Sequence, residues 1–344
     1  MKIKNGRLEF SYKKPPKIIA EISGNHNGNK SRFLKLVKKA CESDADLIKI
    51  QTYEPRDITV SKKNELYKIK KGIWRGKYYF DLYKKACTPY NWHAEAFKIA
   101  KKYKKIIFSS PFSIRAVDFL EKHNVSIYKI ASFEITDHNL INYIASKNKP
   151  IIISTGMASI NEIKNAIKVI EKYHKKIIIL HCVSNYPTKI EDTNLININL
   201  LKKKFKKYLI GLSDHTNDIY SAVASIPLGV VVIEKHFNLD NKITTDSTFS
   251  IGPKMMRNLK KLSLEIFKSA NKNRDIKILN RNIKFRRSLY AKVDIRRNEK
   301  ITNKNITALR PKIGICASKY FKILGKRSKK NIKANEPIFQ NQLL

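Results

Sequence analysis

IIISTGMASINEIKNAIKVIEKYHKKIIILHCVS, residues 151–184, decides the fold. Ile151–Thr155 and Ile177–Val183 are short runs dense in β-branched residues, as in strands buried on both faces. Between them Ile160, Ile163, Ile167 and Ile170 recur at the spacing of one helix face. Ser159 and Glu162 form an S-x-x-E capping box where that helix would start. A strand, an amphipathic helix and a second strand make a βαβ unit with parallel strands.

The same alternation extends in both directions. Further strand candidates are Ile18–Ile22, Leu47–Gln51, Ile106–Ser110, Ile127–Ser132, Leu209–Asp214 and Val230–Phe237, which brings the total to eight. Eight such repeats predict an α/β fold closed into a (β/α)8 TIM-type barrel. The runs finish in polar residues: Glu21, Lys49 and Gln51, Ser109 and Ser110, Lys129 through Glu134, Ser154, Ser184, His215 and His236. Packing does not require such endings, whereas the C-terminal rim of a barrel gathers all of them at one mouth. An open doubly wound sheet would not. The long segment Thr52–Tyr90 leaves from that rim carrying Tyr67, Trp74, Tyr78, Tyr79, Phe80 and Tyr83, and reads as a wall or lid or as a packed excursion.

The barrel unit is expected over residues 1–275, a polar linker over 276–283 and a small β-rich domain over 284–344. That last part contains an internal echo: Ile295, Asn298, Glu299 and Ile301 recur 37 positions later as Ile332, Asn335, Glu336 and Ile338. Each copy reads as strand, tight turn and return strand, with Asn298 and Asn335 taking the left-handed position that asparagine tolerates.

Composition sets outer bounds. With 42% hydrophobic residues among 344 the chain can bury a large core, which excludes wholesale disorder. There is no apolar run of bilayer-spanning length. MKIKNGRLEF lacks the apolar region of a secretory signal, so a cytoplasmic protein is expected. Lys and Arg total 71 against 28 acidic residues, a net charge of +43. Nucleic-acid binding is one reading of that surplus, but the lysines are scattered over helix surfaces and lack interleaved aromatics. No nucleic-acid partner is expected. The four cysteines form no CxxC pair and suit reduced thiols; Cys182 reads as a buried core thiol or, alternatively, as a nucleophile.

His215 in SDHT and His236 in EKHF end consecutive strands, so their imidazoles can reach one divalent ion with positions left open for water or substrate. Asp214 and Glu234 stand beside them. Lys49 and Lys129 point into the mouth, and buried ammonium groups imply either a multiply charged anion or internal salt bridges with Glu21 or Glu134. Hydroxyls at Ser109, Ser110, Ser132, Ser154 and Ser213 suit phosphate oxygens.

The motifs IIAEISGNHNG (18–28), IKIQTY (48–53), FSSPF (108–112), YKIASFE (128–134), IISTGM (152–157), GLSDHT (211–216) and VIEKHF (232–237) resemble the sialic acid synthase family, most closely its pseudaminic branch. RRSLYAKVDI (286–295), LRP (309–311), ILGK (323–326) and NIKANEP (331–337) resemble that family's antifreeze-like (SAF) domain. The resemblance implies condensation of phosphoenolpyruvate (PEP) with an N-acetylated amino-sugar aldehyde, and a domain-swapped homodimer. It implies His215 and His236 as ligands of Mn2+ or Mg2+. Lys49, Ser110, Lys129, Ser132, Ser154, Ser184, Tyr186 and Ser213 fall at PEP positions. Glu21, Gln51, Phe133, Glu134 and Asp246 fall near the sugar or the attacking water, with Glu21, Lys49 and Lys129 carrying the chemistry. Arg310 matches the arginine that a partner's small domain sends to the sugar. Phe133 and DSTFS (246–250) favour the pseudaminic branch over N-acetylneuraminate or legionaminate synthesis, an aromatic wall suiting a 6-deoxy methyl. KIGIC at 312–316 departs from the family pattern beside Arg310.

Overall fold

A computed structural model describes residues 2–240, 242–271 and 280–344. The chain divides into two compact units, Met1–Asn271 and Lys272–Leu344. Of the linker expected at 276–283, residues 276–279 lie outside the described residues and 280–283 belong to a 3-10 helix, Asn280–Phe285; the division between the units comes at Asn271.

All eight expected strands form: β3 (Lys17–Glu21), β4 (Leu47–Thr52), β5 (Ile106–Pro111), β6 (Tyr128–Ile130), β7 (Ile151–Ser154), β8 (Ile177–Cys182), β9 (Leu209–Asp214) and β10 (Val232–His236). They pair in parallel and close, β10 against β3, into a barrel. The helix between β7 and β8 runs Ile160–Glu171, with Ser159 and Glu162 capping each other's backbone and Ile163, Ile167 and Ile170 buried against the barrel.

Strand parity decides where the chemistry goes. Ile18, Ala20, Ile48, Ile50, Ile151, Ile153, Ile210 and Ile233 face outward into the helical layer. Ile19, Leu47, Phe108, Ile127, Ile152, Ile178, Leu209 and Val232 face inward and pack together at the lower end of the barrel. Because side chains alternate with period two, the next inward position on each strand lies one tier higher. Those positions hold Glu21, Lys49, Ser110, Lys129, Ser154, Leu180, Gly211 and Glu234, and one step further come Gln51, Cys182, Ser213 and His236. Apolar below and polar above, the interior is a plugged cup.

The plug is an element beyond the eight expected strands. β1 (Lys2–Asn5) and β2 (Leu8–Ser11) form an antiparallel hairpin whose Ile3, Leu8 and Phe10 join the lower inward cluster. Each such burial contributes about 1.5–3 kcal/mol. The two-residue turn is Gly6–Arg7, closed by the Asn5–Leu8 pair, with Gly6 at φ 57° in the first turn position that favours glycine, a signal that the short flanking runs concealed.

In the second unit, β11 (Ser288–Ala291) and β12 (Ile306–Leu309) pair antiparallel over a core that includes Leu289, Ile295, Ile301, Ile332 and Ile338. The internal echo is a local twofold. Ile295 and Ile332 exchange both backbone hydrogen bonds at 2.8 Å. Asn331 accepts from the Arg297 amide and Asp294 from the Ala334 amide, each at 2.7 Å. The two full strand–turn–strand units expected are reduced to such single bridges, because the turns consume most of each copy. Asn298 and Asn335 take φ 69° and 66°. Asn298→Ala should therefore lower stability by about 1–2 kcal/mol while Asn298→Gly should not, a contrast that calorimetry of the intact chain reads directly.

Candidate active site

At the upper tier, charge is gathered around Glu234. Lys49 Nζ lies 3.0 Å from Glu234 Oε1 and 3.0 Å from Glu21 Oε2. Lys129 Nζ lies 4.0 Å from Glu234 Oε1 and donates to Ser154 Oγ at 2.7 Å. Ser213 Oγ also donates to Glu234, at 3.1 Å. Gln51 Nε2 donates to Glu21 Oε1 at 3.1 Å and to Ser23 Oγ at 3.2 Å, and Ser23 donates to Asp246. One connected network thus runs from Asp246 to Ser154 across the mouth.

The lysines are therefore not bare ammonium groups awaiting an anion. Lys49 is paired with two carboxylates, the internal salt bridge that competed with the anion reading, and Glu234 rather than Glu134 is the second partner. Glu234 was legible only as a neighbour of His236; its inward parity with Val232 is the signal that could have placed it. Burial dominates the electrostatics. It raises Glu21 above the usual carboxylate range, against the pull of Lys49. It would raise Glu234 too, but Lys129 and Lys49 together hold that group low. Burial lowers Lys129 to about 8 and raises Glu134, whose Oε2 has no partner, to about 7.

Beside this network sit the two histidines. Their ring centroids are 5.3 Å apart. His215 Nδ1 donates to the Val183 carbonyl at 2.8 Å, which leaves Nε2 as the nitrogen that the neutral ring can offer to a metal. Burial, then His215, hold His236 well below the ordinary histidine value, so it is neutral, and its Nδ1 is buried without a partner. Tyr186 packs on His215 at 4.4 Å and Phe249 on His236 at 4.7 Å. Among the described residues no three His, Cys, Asp or Glu side chains cluster as a closed metal site. Two imidazoles with an orphaned buried nitrogen fit an open site whose remaining positions belong to water or substrate.

Asp214 does not join them. It faces outward, where its carboxylate pairs with Lys235 at 3.1 Å and accepts the Thr216 amide at 2.9 Å. Ser109 likewise faces outward, bonded to Thr52 and the Ile50 carbonyl. Ser110 Oγ is buried and unpartnered. Ser132 reaches Cys182 Sγ at 3.5 Å, and Cys182 lies 3.9 Å from His215 Nδ1. Cys182 is thus a thiol of the upper tier rather than of the core. Gly156 makes room there, since a Cβ would collide with Ser132 and Ser184. Phe133 stands 64% exposed on the rim. Arg310 belongs to the second unit, where it is exposed just beyond β12.

A larger cleft, about 610 Å³, lies away from this chemistry between Tyr53, Tyr90, Arg115 and Phe119. The narrow hollow that touches the site is lined by Ser213, His215 and Val183.

The family model described as the NeuB family matches residues 36–275, and that of the SAF domain matches residues 286–344. The chain belongs to the NeuB family. Over 329 residues it is 41% identical to a pseudaminic acid synthase of Helicobacter pylori, covering 94% of this chain and 96% of that one. An N,N'-diacetyllegionaminic acid synthase of Campylobacter jejuni is 36% identical, covering 93% of this chain and 98% of that one. Among solved structures, the N-acetylneuraminic acid (sialic acid) synthetase of Leptospira borgpetersenii, in complex with citrate, superposes with a TM-score of 0.72 at 28% identity, covering 80% of this chain and 91% of that one. The NeuB match bears out the family read from the barrel motifs, and the SAF match bears out the C-terminal one. Among the described residues no helix is long and apolar enough to cross a membrane.

Proposed function

We propose that this NeuB-family chain condenses PEP with 2,4-diacetamido-2,4,6-trideoxy-L-altrose, giving pseudaminic acid and phosphate. The observation that carries the proposal is the Lys49–Glu234–Lys129 network standing in one barrel mouth with the His215–His236 pair. The identity to pseudaminic acid synthases supports the choice of sugar.

In this reading Lys49 and Lys129 hold the phosphate and carboxylate of PEP, with Ser110, Ser132, Ser154, Ser184, Tyr186 and Ser213 as further donors. Holding both reactants supplies much of the rate. PEP C3 attacks the aldehyde carbon, water adds to C2, and the C2–O bond to phosphate then breaks. Glu21, fixed by Gln51 and Lys49, guides that water and takes its proton. His215 and His236 would hold Mn2+ or Mg2+, which supplies Lewis-acid polarisation of the aldehyde when bound. Gln51, Phe133, Glu134 and Asp246 line the sugar side. The proposal includes a cytoplasmic homodimer in which Arg310 of the partner subunit serves the sugar.

Phosphate release from PEP, measured against a sugar panel with and without chelator, tests it. The altrose should outpace N-acetylmannosamine by about 10-fold or more, chelator should stop release, and Mn2+ should restore it. Faster turnover of N-acetylmannosamine or of the legionaminic precursor would sink the sugar assignment, and indifference to chelator would sink the metal.

A further inference from the structure

We infer that Trp74 is a positioning residue for the reaction proposed above: the tip of a strap that clamps the two-histidine end of the mouth. The inference rests on that reading. Within the long segment after β4, Lys68 pairs antiparallel with Tyr78. Ile69 and Lys77 close the hairpin through a 2.8 Å backbone bond. Gly72 and Gly76, at φ 80° and 86°, let the chain turn on either side of the tryptophan.

The tip sequence, KKGIWRGK (70–77), is strongly basic, and every residue in it except Trp74 is exposed. Nothing else in this tip has an apolar reason to fold back on the barrel. The Trp74 ring packs at 5.7 Å from Tyr186 and edge-on at 6.4 Å from Phe249. Its Nε1–H donates to the Thr245 carbonyl at 3.0 Å. Tyr186 follows β8, and Thr245 and Phe249 follow β10, so one side chain joins three loops leaving three strands. Both of its ring neighbours lie against the histidines: Tyr186 on His215, and Phe249 on His236 and, edge-on at 6.2 Å, on His215 as well. Trp74 thus reaches both imidazoles through a single intervening ring. Indole is the side chain that offers both a large face for two aromatic contacts and a donor for a carbonyl; phenylalanine keeps the first and loses the second.

The test compares Trp74→Phe and Trp74→Ala in the full chain. Trp74→Ala should lower kcat about 10- to 100-fold, with KM for PEP within about twofold and the thermal midpoint little changed; Trp74→Phe should fall between. An unchanged kcat, or a loss that only tracks a falling thermal midpoint, would overturn the inference while leaving the reaction standing. A wild-type chain inactive with every sugar would remove the reaction and the positioning role together. A readout free of turnover uses Trp92→Phe, which leaves Trp74 as the sole tryptophan of two. Bound Mn2+, counted by EPR, should quench its emission where Mg2+ does not; full emission with Mn2+ bound would place Trp74 away from the histidines and overturn the strap.

Discussion

The Lys129→Met enzyme is expected to turn over PEP with kcat/KM lowered about 10²- to 10³-fold, the usual cost of removing one preorganised electrostatic contact from a buried site. The two ammonium groups differ in how far neighbouring carboxylates already neutralise them. Lys49 already has carboxylates at 3.0 Å on two sides. Lys129 has only Glu234, at 4.0 Å, and its remaining bonds go to a hydroxyl and a backbone carbonyl. Its positive field is the less spent of the two, and at 1% exposure water does not screen it. Methionine keeps most of the volume, and Glu234 retains Lys49 and Ser213, so the fold should survive the change. The pH profile gives an independent check. Burial lowers the Lys129 value to about 8, so the group is charged below that pH and neutral above it. Wild-type kcat/KM should fall on an alkaline limb near pH 8, and the variant should lose that limb. A variant with wild-type kcat/KM, or with the limb intact, contradicts the role.

Lys235→Met should destabilise the barrel by about 3–5 kcal/mol, the range for stripping one partner from a buried ion pair. Lys235 is fully buried. Its ammonium binds Asp214 Oδ2 and Thr216 Oγ1 at 3.1 Å each and also the Thr216 carbonyl. Removing it leaves the buried Asp214 carboxylate with the Thr216 amide alone. Replacing both charges, Lys235→Met with Asp214→Leu, should recover much of the loss, since apolar substitutes for a whole buried pair are often neutral. Urea unfolding of the parent and the two variants followed by circular dichroism decides it; a single variant as stable as the parent would show that the pair contributes nothing. The staple ties the tips of β9 and β10, each one residue from a histidine, so its loss should also loosen the imidazole pair.

The barrel was legible because eight isoleucine-rich runs, with a complete capping box between two of them, leave few topologies open. The site residues were legible as types at strand ends, but their orientation was not. Asp214 adjoins His215 and Glu234 lies two residues before His236, yet one faces the helices and the other the mouth. Counting by twos from Leu209 and Val232 separates them, and nothing in the residues themselves does. The lower hairpin escaped because its strands are four residues each and mostly polar. Trp74 was legible as part of an aromatic segment and not as a contact of Tyr186, because that contact joins the loops after β4 and β8 and no local pattern encodes it.

The strict alternation in the barrel strands also governs what kinds of genetic change the family can absorb. Losing or gaining a single residue inside β4 or β10 would reverse every side chain beyond it, driving lysine or glutamate into the greasy outer jacket and isoleucine into the mouth. Substitutions can be sampled one at a time, but insertions and deletions within these strands would be lethal to activity at a stroke. Diversification toward new sugars is therefore channelled into the loops, where length is free to drift without turning the molecule inside out.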